Sequence, residues 1–269
     1  MLRKFNRPVA ALLVLALVLP LGACANRGKG TKADTQYVAR DVNTLYTLAK
    51  DRLDRGDYPT AAAIFDEVER QHPYSIWARR AQLMSAFSYY AARNYTKSIE
   101  SARRFLSIHP GNRDAPYAQY LVGLSYYEQI EDVTRDQSIT RQALDTLGEL
   151  VRRYPNTRYA ADARLKIDLV RDHLAGKEME IGRFYQRRSQ WLASVNRFRT
   201  VIDEYQTTSH TPEALMRLTE SYLALGIPEE ARRSAAVLGA NFPNTKWYQR
   251  AYNLVQKHAP AAAPSAPAA

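Results

Sequence analysis

The 269-residue chain contains a single cysteine, Cys24, and only 11 glycines. One cysteine excludes an internal disulfide, so the fold must rest on packing alone. The sequence also lacks a glycine-rich phosphate loop, a Gly-x-Ser-x-Gly nucleophile motif and any two histidines at the spacing of a helical metal site. It therefore offers no catalytic, cofactor-binding or metal-binding residues, and we expect a protein that is not an enzyme.

Acidic residues are also fewer than basic ones. The chain has 27 Asp and Glu against 38 Lys and Arg, which gives a formal net charge of +11. A basic surface suits anionic partners such as acidic proteins, lipid headgroups or nucleic acid. The arginine pairs fall at different phases of the repeat described below, so they do not build one basic stripe. A nucleic-acid track needs cations aligned on one surface, and we therefore expect no nucleic-acid partner.

The cysteine follows a short signal sequence. Basic residues within 3–7 precede an apolar run, 9–19, which is too short to span a bilayer comfortably but has the length of a signal-peptide core. Small residues then lead into Cys24. This arrangement resembles the processing box of bacterial lipoproteins, which implies removal of a signal peptide, residues 1–23, and acyl chains on Cys24 as the only attached groups. Two or more acyl chains anchor a protein stably to a membrane.

The two ends of the mature chain differ from its middle. Residues 24–35 are small and polar, and we expect a lipidated N-terminus and tether. Ala25 follows the cysteine, and in the lipoproteins that this chain resembles a residue other than aspartate there favours the outer membrane, on its periplasmic side. Residues 259–269 are almost only Ala and Pro, and we expect a disordered tail because they bury little apolar surface.

Residues 36–258 repeat one pattern five times. Each copy centres on an aromatic or histidine residue followed by proline, except that the fourth copy has Gln206 instead of proline. An alanine stands eight residues after the proline position, a small residue twelve before it and an apolar residue five before it. In chain order these three columns are Ala81, Ala118, Ala163, Ala214 and Ala251; Ala61, Ser98, Ala143, Ser194 and Ala231; and Val68, Phe105, Leu150, Val201 and Leu238.

The columns predict helical hairpins. The small residue lets two helices approach closely, and the apolar residue seven positions later lies two turns along the same face. Proline ends the second helix because it cannot continue the hydrogen bonding. We therefore predict an all-α fold, an α-solenoid of about five hairpins similar to tetratricopeptide repeats. Whether residues 158–190 form one helix or two stays open, because Gly176 costs roughly 1 kcal/mol inside a helix.

Three segments, 154–159, 135–136 and 195–197, together with the lipoprotein box and the repeats, carry a closer resemblance. Over residues 24–258 the chain resembles the BamD (ComL) family of outer-membrane assembly lipoproteins. The resemblance implies a non-enzymatic scaffold of the β-barrel assembly machinery. It implies as partners a POTRA domain of BamA, other lipoproteins of the machinery, unfolded outer membrane proteins through their C-terminal signal, and outer-membrane lipid through the anchor.

In the tetratricopeptide family the first helix of each pair lines a concave groove. Positions carried over from that family predict an aromatic groove for substrate in the N-terminal half, residues 36–155, and a scaffold in the C-terminal half, residues 156–258. The groove residues are Tyr46, Lys50, Leu53, Arg80, Leu83, Phe87, Tyr90, Tyr117, Tyr120, Leu124 and Tyr127 in the first half, and Met179, Arg183, Gln186, Met216 and Glu220 in the second.

Tyrosines offer rigid contact area and a hydrogen-bonding tip, so the first half suits an extended, aromatic-bearing peptide. Arg80 or Lys50 would pair with its terminal carboxylate. An alternative is that the tyrosines merely fill a tight superhelix. Two other functions also stay open, a periplasmic scaffold for peptidoglycan or division proteins and a DNA-uptake lipoprotein.

By the family resemblance, Asn196 and Arg197 belong to the BamA contact, and Arg197 matches an arginine that meets an acidic residue of the POTRA domain. A planar guanidinium holds a carboxylate through two hydrogen bonds. We expect Arg197→Glu to abolish co-purification of BamA from detergent-solubilised membranes, because two carboxylates would then face each other. Retained association would contradict this assignment.

Overall fold

Eleven helices follow one another in residues 40–259, the part of the chain that the computed structural model describes, and no strand occurs there. The expected signal peptide, Cys24, the tether and residues 260–269 lie outside the described residues. The helices are α1 (Val42–Asp54), α2 (Tyr58–Gln71), α3 (Ile76–Ala91), α4 (Tyr95–Ile108), α5 (Ala115–Tyr127), α6 (Ser138–Arg153), α7 (Arg158–Arg187), α8 (Trp191–Glu204), α9 (Thr211–Ala224), α10 (Pro228–Asn241) and α11 (Lys246–His258).

The helices pair as hairpins, α1 with α2, α3 with α4, α5 with α6, α7 with α8 and α9 with α10, and α11 packs on the last pair. We call the first helix of each pair an A helix and the second a B helix. The A helices also contact one another in the order α1, α3, α5 and α7. The prediction of an all-α array of helical hairpins is confirmed.

The three repeat columns form the centre of these contacts. Every alanine, small residue and apolar residue of the fifteen is at most 1 % exposed. Two A helices carry glycine where they meet their B helix. A Cβ atom on Gly123 would lie 2.5 Å from Leu147 Cδ2, and one on Gly182 would lie 2.4 Å from Phe198 Cε1. The two helices of each of these pairs can approach this closely because glycine has no side-chain atoms.

All five B helices end in the same way. The ring residue has φ between −137° and −127° and ψ between 33° and 55°, and its N–H donates to the carbonyl of the apolar column residue four positions earlier. Tyr205 adopts this conformation although Gln206 follows it, so proline favours the turn but is not required for it.

A further column, which was not predicted from the sequence, lies in the turn before the next helix. Its members are Ser75, Asn112, Thr157, Thr208 and Thr245, and their backbone N–H groups donate to the carbonyls of the ring residues. Three of them are N-caps, because the side chains of Ser75, Thr157 and Thr245 accept from the N–H three residues on.

Residues 158–187 form one 30-residue helix that runs through Gly176. A Cβ atom at this buried glycine would lie 3.2 Å from His210 Nε2 and 3.5 Å from Val133 Cγ1. Val133 belongs to the inserted loop after α5, and Lys177 Nζ holds that loop by donating to the carbonyl of Thr134 at 2.9 Å. The glycine therefore makes room for two loops instead of breaking the helix.

Ala259, where the expected tail begins, packs on the array. It is only 5 % exposed, caps α11 and accepts a hydrogen bond from Arg232 Nη1 at 3.1 Å. No described helix combines the length and the hydropathy that crossing a bilayer requires.

Gly226, in the turn between α9 and α10, has a φ of +73° and open space around its missing Cβ. We expect Gly226→Ala to lower the free energy of unfolding by about 1 kcal/mol, because an alanine resists the left-handed conformation. Gly111→Ala is the matched control, since Gly111 is equally uncrowded but has no positive φ. Urea unfolding measures both, and equal losses in the two variants would contradict this explanation.

Candidate functional site

Five tyrosines from three A helices form one surface. We call it the tyrosine wall; its members are Tyr90 of α3, Tyr117, Tyr120 and Tyr127 of α5, and Tyr159 of α7. The ring of Tyr159 lies 5.3 Å from the rings of both Tyr117 and Tyr120. All five side chains are half-buried, so each packs on one side and stays open on the other.

Charged side chains of α7 fix the wall. The Tyr120 hydroxyl donates to Asp162 Oδ2 at 2.5 Å, and Lys166 Nζ lies 3.1 Å from the same oxygen. Lys166 also lies over the Tyr127 ring, with Nζ 5.4 Å from its centroid. The hydroxyl of Tyr90 reaches Glu128 Oε1 at 3.4 Å. The rings are thus held in place by contacts between neighbouring A helices.

Burial is the main cause that raises the pKa of the Tyr90 and Tyr117 hydroxyls to about 12 each. Burial, followed by the hydrogen bond to Asp162, also raises the pKa of Tyr120. The hydrogen bond from Tyr120 is the largest cause that lowers the pKa of Asp162. At neutral pH Tyr90, Tyr117 and Tyr120 therefore present neutral phenols beside the ionised carboxylate of Asp162.

A cationic cleft of about 780 Å³ adjoins the start of α3. Its lining residues are Tyr46, Arg79, Arg80, Leu83, Met84, Phe105, Asn112, Arg113 and Asp114. The guanidinium carbon of Arg80 lies 5.5 Å from the Trp77 ring centroid, and the Tyr46 ring lies 4.6 Å from the same indole. Within residues 40–259, neither Arg79 nor Arg80 forms an ion pair, so both guanidinium groups are available to an anion.

The remaining predicted groove residues of the first half lie apart from these contacts or support them. Lys50 is bound to Asp54, with Nζ 2.9 Å from Oδ2, and is not among the residues that line the cleft. Phe87 is half-buried and packs against the core between α3 and α5. Leu53 and Leu83 are also half-buried, whereas Leu124 is buried, so its predicted place in the groove was wrong. Ten residues of α3 separate Arg80 from Tyr90, which is about 15 Å of helix.

Tyr159, Asp162 and Lys166 belong to the site but were not predicted from the sequence. The predicted groove half ends at residue 155, whereas the first half of α7 supplies one side of the tyrosine wall. A signal was present, because Asp162 precedes the repeat alanine Ala163 as Arg80 precedes Ala81 and Tyr117 precedes Ala118.

In the described second half of the array, openings of about 450 Å³ and 490 Å³ lie between α8, α9 and α10 and between α10 and α11. Met179 and Met216, predicted to line the groove, are 0 % exposed, so this prediction was wrong. Arg183 lies 3.2 Å from Glu213, Arg217 lies 3.2 Å from the same carboxylate, and Arg250 lies 2.9 Å from Glu220. Gln186 also donates to Glu220. The polar groups here bind one another.

Asn196 and Arg197 lie on α8 and line a small pocket of about 200 Å³ with Tyr185, Ala193 and Thr200. Asn196 is exposed, whereas Arg197 Nη1 donates to Glu178 Oε2 at 3.1 Å. A partner carboxylate at Arg197 would therefore compete with Glu178. A charge reversal at Arg197 also faces Glu178, so Arg197→Gln is the control that separates the two effects.

Among residues 40–259, no three His, Cys, Asp or Glu side chains are grouped so that they would hold a metal ion.

Comparison with known proteins finds relatives over most of the chain. The family described as YfiO, outer membrane lipoprotein, matches residues 38–238. A Caulobacter vibrioides protein named outer membrane protein assembly factor BamD is 52 % identical over 95 % of this chain and 83 % of its own. Proteins of the same name from Rickettsia prowazekii and Neisseria meningitidis are 45 % and 34 % identical, over 95 % and 90 % of this chain and 99 % and 94 % of theirs.

Among solved structures, that of the MamA protein covers 84 % of this chain and 98 % of its own, at 15 % identity and a TM-score of 0.38. The hairpin architecture rests on the helix packing of this chain and not on that match.

Replacing Tyr120 by phenylalanine removes the hydroxyl that donates to Asp162, so we expect the pKa of Asp162 to rise toward its ordinary value. Because the folded-state pKa lies below the unfolded one, the stabilisation is present above pH about 4 and is lost as the pH falls through the folded-state pKa. The Asp162 side chain is 41 % exposed, so the difference in unfolding free energy should be at most about 1 kcal/mol.

A carboxylate-detected NMR titration measures this pKa. Tyr117→Phe is the control, since the Tyr117 hydroxyl does not bond Asp162, and it should leave the pKa of that carboxyl unchanged. An unshifted Asp162 in Tyr120→Phe would show that the hydrogen bond is not its main perturbation.

Proposed function

The chain belongs to the YfiO family of outer membrane lipoproteins, whose relatives are BamD assembly factors, and from this premise we propose that it is a non-catalytic scaffold that binds clients and partners during outer membrane protein assembly. The observation that carries the client role is the contrast between two halves. The first half presents partly open aromatic rings together with Arg79 and Arg80, which form no ion pair with residues 40–259, whereas in the second half Arg183, Arg217 and Arg250 pair with Glu213 and Glu220.

The client segment would lie extended along α3, α5 and the first half of α7. Half-buried tyrosine rings provide contact area at little entropic cost, and their hydroxyls remain neutral donors for backbone carbonyls. The wall and the cleft are about 15 Å apart along α3, a span of about five extended residues. A short C-terminal segment of an unfolded outer membrane protein therefore fits between them.

The terminal carboxylate of that segment would bind in the cationic cleft. Arg79 and Arg80 form no ion pair with residues 40–259, and guanidinium groups pair strongly with carboxylates. Lys50 is less suited to this role because Asp54 already neutralises it. The aromatic residues of the client would then contact the tyrosine wall.

The second half would bind BamA, with Asn196 and Arg197 at the contact with its POTRA domain. The pocket beside Arg197 lies between α8 and the end of α7, whereas the tyrosine wall uses α3, α5 and the first half of α7, so one molecule has room for client and partner together. Cys24, outside the described residues, would carry the acyl chains that hold the protein to the periplasmic side of the outer membrane, near the other lipoproteins of the machinery.

A labelled synthetic peptide that ends in an aromatic residue with a free carboxylate tests the client site by fluorescence anisotropy. We expect the double variant Tyr90→Leu and Tyr127→Leu to weaken binding by about tenfold, since leucine keeps apolar volume but loses the ring and hydroxyl. Tyr74→Leu is the control, because Tyr74 is fully exposed in the turn before α3.

Arg79→Gln with Arg80→Gln should weaken binding of the free acid but not of the C-terminally amidated peptide, and Lys50→Gln should change neither. The proposal fails if the tyrosine variant binds as well as the parent chain while circular dichroism shows an unchanged melting temperature.

A further inference from the structure

A groove with a volume of about 490 Å³ runs between α10 and α11, the last two described helices, and we call it the terminal groove. Small residues of α10 and two tyrosines of α11 form it. Its lining residues are Arg232, Ala235, Ala236, Gly239, Ala240, Tyr248, Tyr252, Val255 and Gln256. The alanines and the glycine leave room for a narrow chain beside aromatic rings.

One tyrosine ring of the terminal groove is packed and the other is open. The ring of Tyr248 lies against Gly239, where a Cβ atom would come within 2.6 Å of Cε2. Tyr252 follows one turn later on α11, with its ring centroid 6.1 Å from that of Tyr248, and it is 46 % exposed. An extended ligand in the groove would therefore contact a pair of neighbouring rings.

The lining of the terminal groove is nearly uncharged. Among the described residues that form it, only Arg232 carries a charge. This arginine is already engaged, because its Nη2 lies 2.5 Å from Glu229 Oε1 and its Nη1 donates to the carbonyl of Ala259 at 3.1 Å. A charged ligand would lose water here without gaining a counter-ion, so the groove suits an uncharged one.

The chain itself leads to this groove. Ala259, the last described residue, ends α11 with φ −146° and ψ 56°, and its N–H donates to the carbonyl of Val255. This conformation is close to the one that ends every B helix and turns the chain back along the array. Because Arg232 holds the carbonyl of Ala259, the next residue starts at the Arg232 end of the terminal groove.

We propose that residues 260–269 turn back into the terminal groove of their own chain and lie extended against Tyr248 and Tyr252. These ten residues are alanine, proline and one serine, so they have no charged side chain. Proline-rich segments favour the polyproline II conformation, which binds in grooves lined by aromatic rings. The proposal gives a bound position to a segment that composition alone predicts to be disordered.

The lengths agree with this placement. From Arg232 to Ala240 the groove follows eight residues of helix, which is about 12 Å. A polyproline II segment rises about 3.1 Å per residue, so about four residues cover that span. Pro264 stands four residues after Pro260 and would therefore reach the end of the groove formed by Tyr248.

A weak interaction is sufficient because the segment is attached beside its site. Direct attachment gives a local concentration on the order of millimolar, so a contact with a dissociation constant of about 1 mM already fills half of the grooves. Alanine and proline also lose little side-chain entropy on burial. The same segment of a second copy lacks the advantage of attachment, and a client that ends in a carboxylate lacks a free cation in this groove.

A photoreactive amino acid at position 252 of the acylated chain in vesicles tests the placement. Trypsin cleaves after Lys257, so mass spectrometry identifies the segment as the peptide that begins at His258. The matched control is the same label at Val237, which is also 46 % exposed but lies on α10 outside the lining. We expect at least about tenfold more crosslinking to that peptide from position 252 than from position 237, since attachment alone favours neither.

A one-to-one mixture of isotope-labelled and unlabelled chains separates contacts within one chain from contacts between copies. Equal crosslinking from positions 252 and 237 would overturn the proposal. Crosslinks from position 252 that join labelled to unlabelled chains, or that lead to another protein in isolated outer membranes, would also overturn it, because the groove would then have a different occupant.

A variant that fills the terminal groove provides the second arm. Ala236→Arg places a long charged side chain in the groove at an exposed helical position, and Val237→Arg is its control outside the lining. A prolyl endopeptidase that cleaves after Pro264 and Pro267 measures how accessible the segment is. We expect Ala236→Arg to raise the cleavage rate at least about twofold, as release from half-filled grooves requires, and Val237→Arg to leave it unchanged.

Circular dichroism should give both variants the melting temperature of the parent chain, which shows that the array is intact. Replacing Pro264 and Pro267 by glycine should abolish the preference of the photoreactive label at position 252 for the segment, because glycine does not favour the extended conformation. An unchanged cleavage rate in Ala236→Arg, or an unchanged crosslink in the glycine variant, would contradict the proposal.

Discussion

Close approach between paired helices is the constraint on which the rest of the structure depends. Alanine, serine and glycine occupy the contact positions, and no atoms separate the backbones there except those of the facing apolar side chains. The 2.4 Å and 2.5 Å distances that a Cβ would make at Gly182 and Gly123 show how little room remains. This spacing aligns the A helices in one row, and the row places tyrosines of three helices on a common surface.

The columns could be predicted from the sequence because a hairpin repeats its contacts at fixed offsets, and all fifteen residues proved buried. The continuity of α7 could not, since Gly176 alone argues for a break. Only the distant residues Val133 and His210, which pack against that glycine, explain why the helix continues.

The site was predicted less completely, because some of its residues come from a helix that departs from the repeat. Tyrosines on α3 and α5 follow the repeat, but their partners on α7 belong to a helix that departs from it. Met179 and Met216 were placed in the groove by register alone, and both are fully buried. The contact between Arg197 and Glu178 joins residues from different helices, which no local pattern reveals.

The long helix α7 links the two halves. Its first part supplies Tyr159, Asp162 and Lys166 to the tyrosine wall, and its second part supplies Glu178, which holds Arg197. A single helix therefore carries groups from both proposed binding surfaces, while Glu213 and Glu220 hold Arg183, Arg217 and Arg250 in ion pairs in the second half.

Hydrogen exchange of the acylated protein in lipid vesicles, with and without a client peptide that ends in an aromatic residue and a free carboxylate, tests this account most directly. It predicts slower exchange in α3, α5 and the first half of α7, and no change in α9 to α11. Slowing confined to α9 to α11, or none at saturating peptide, would contradict it.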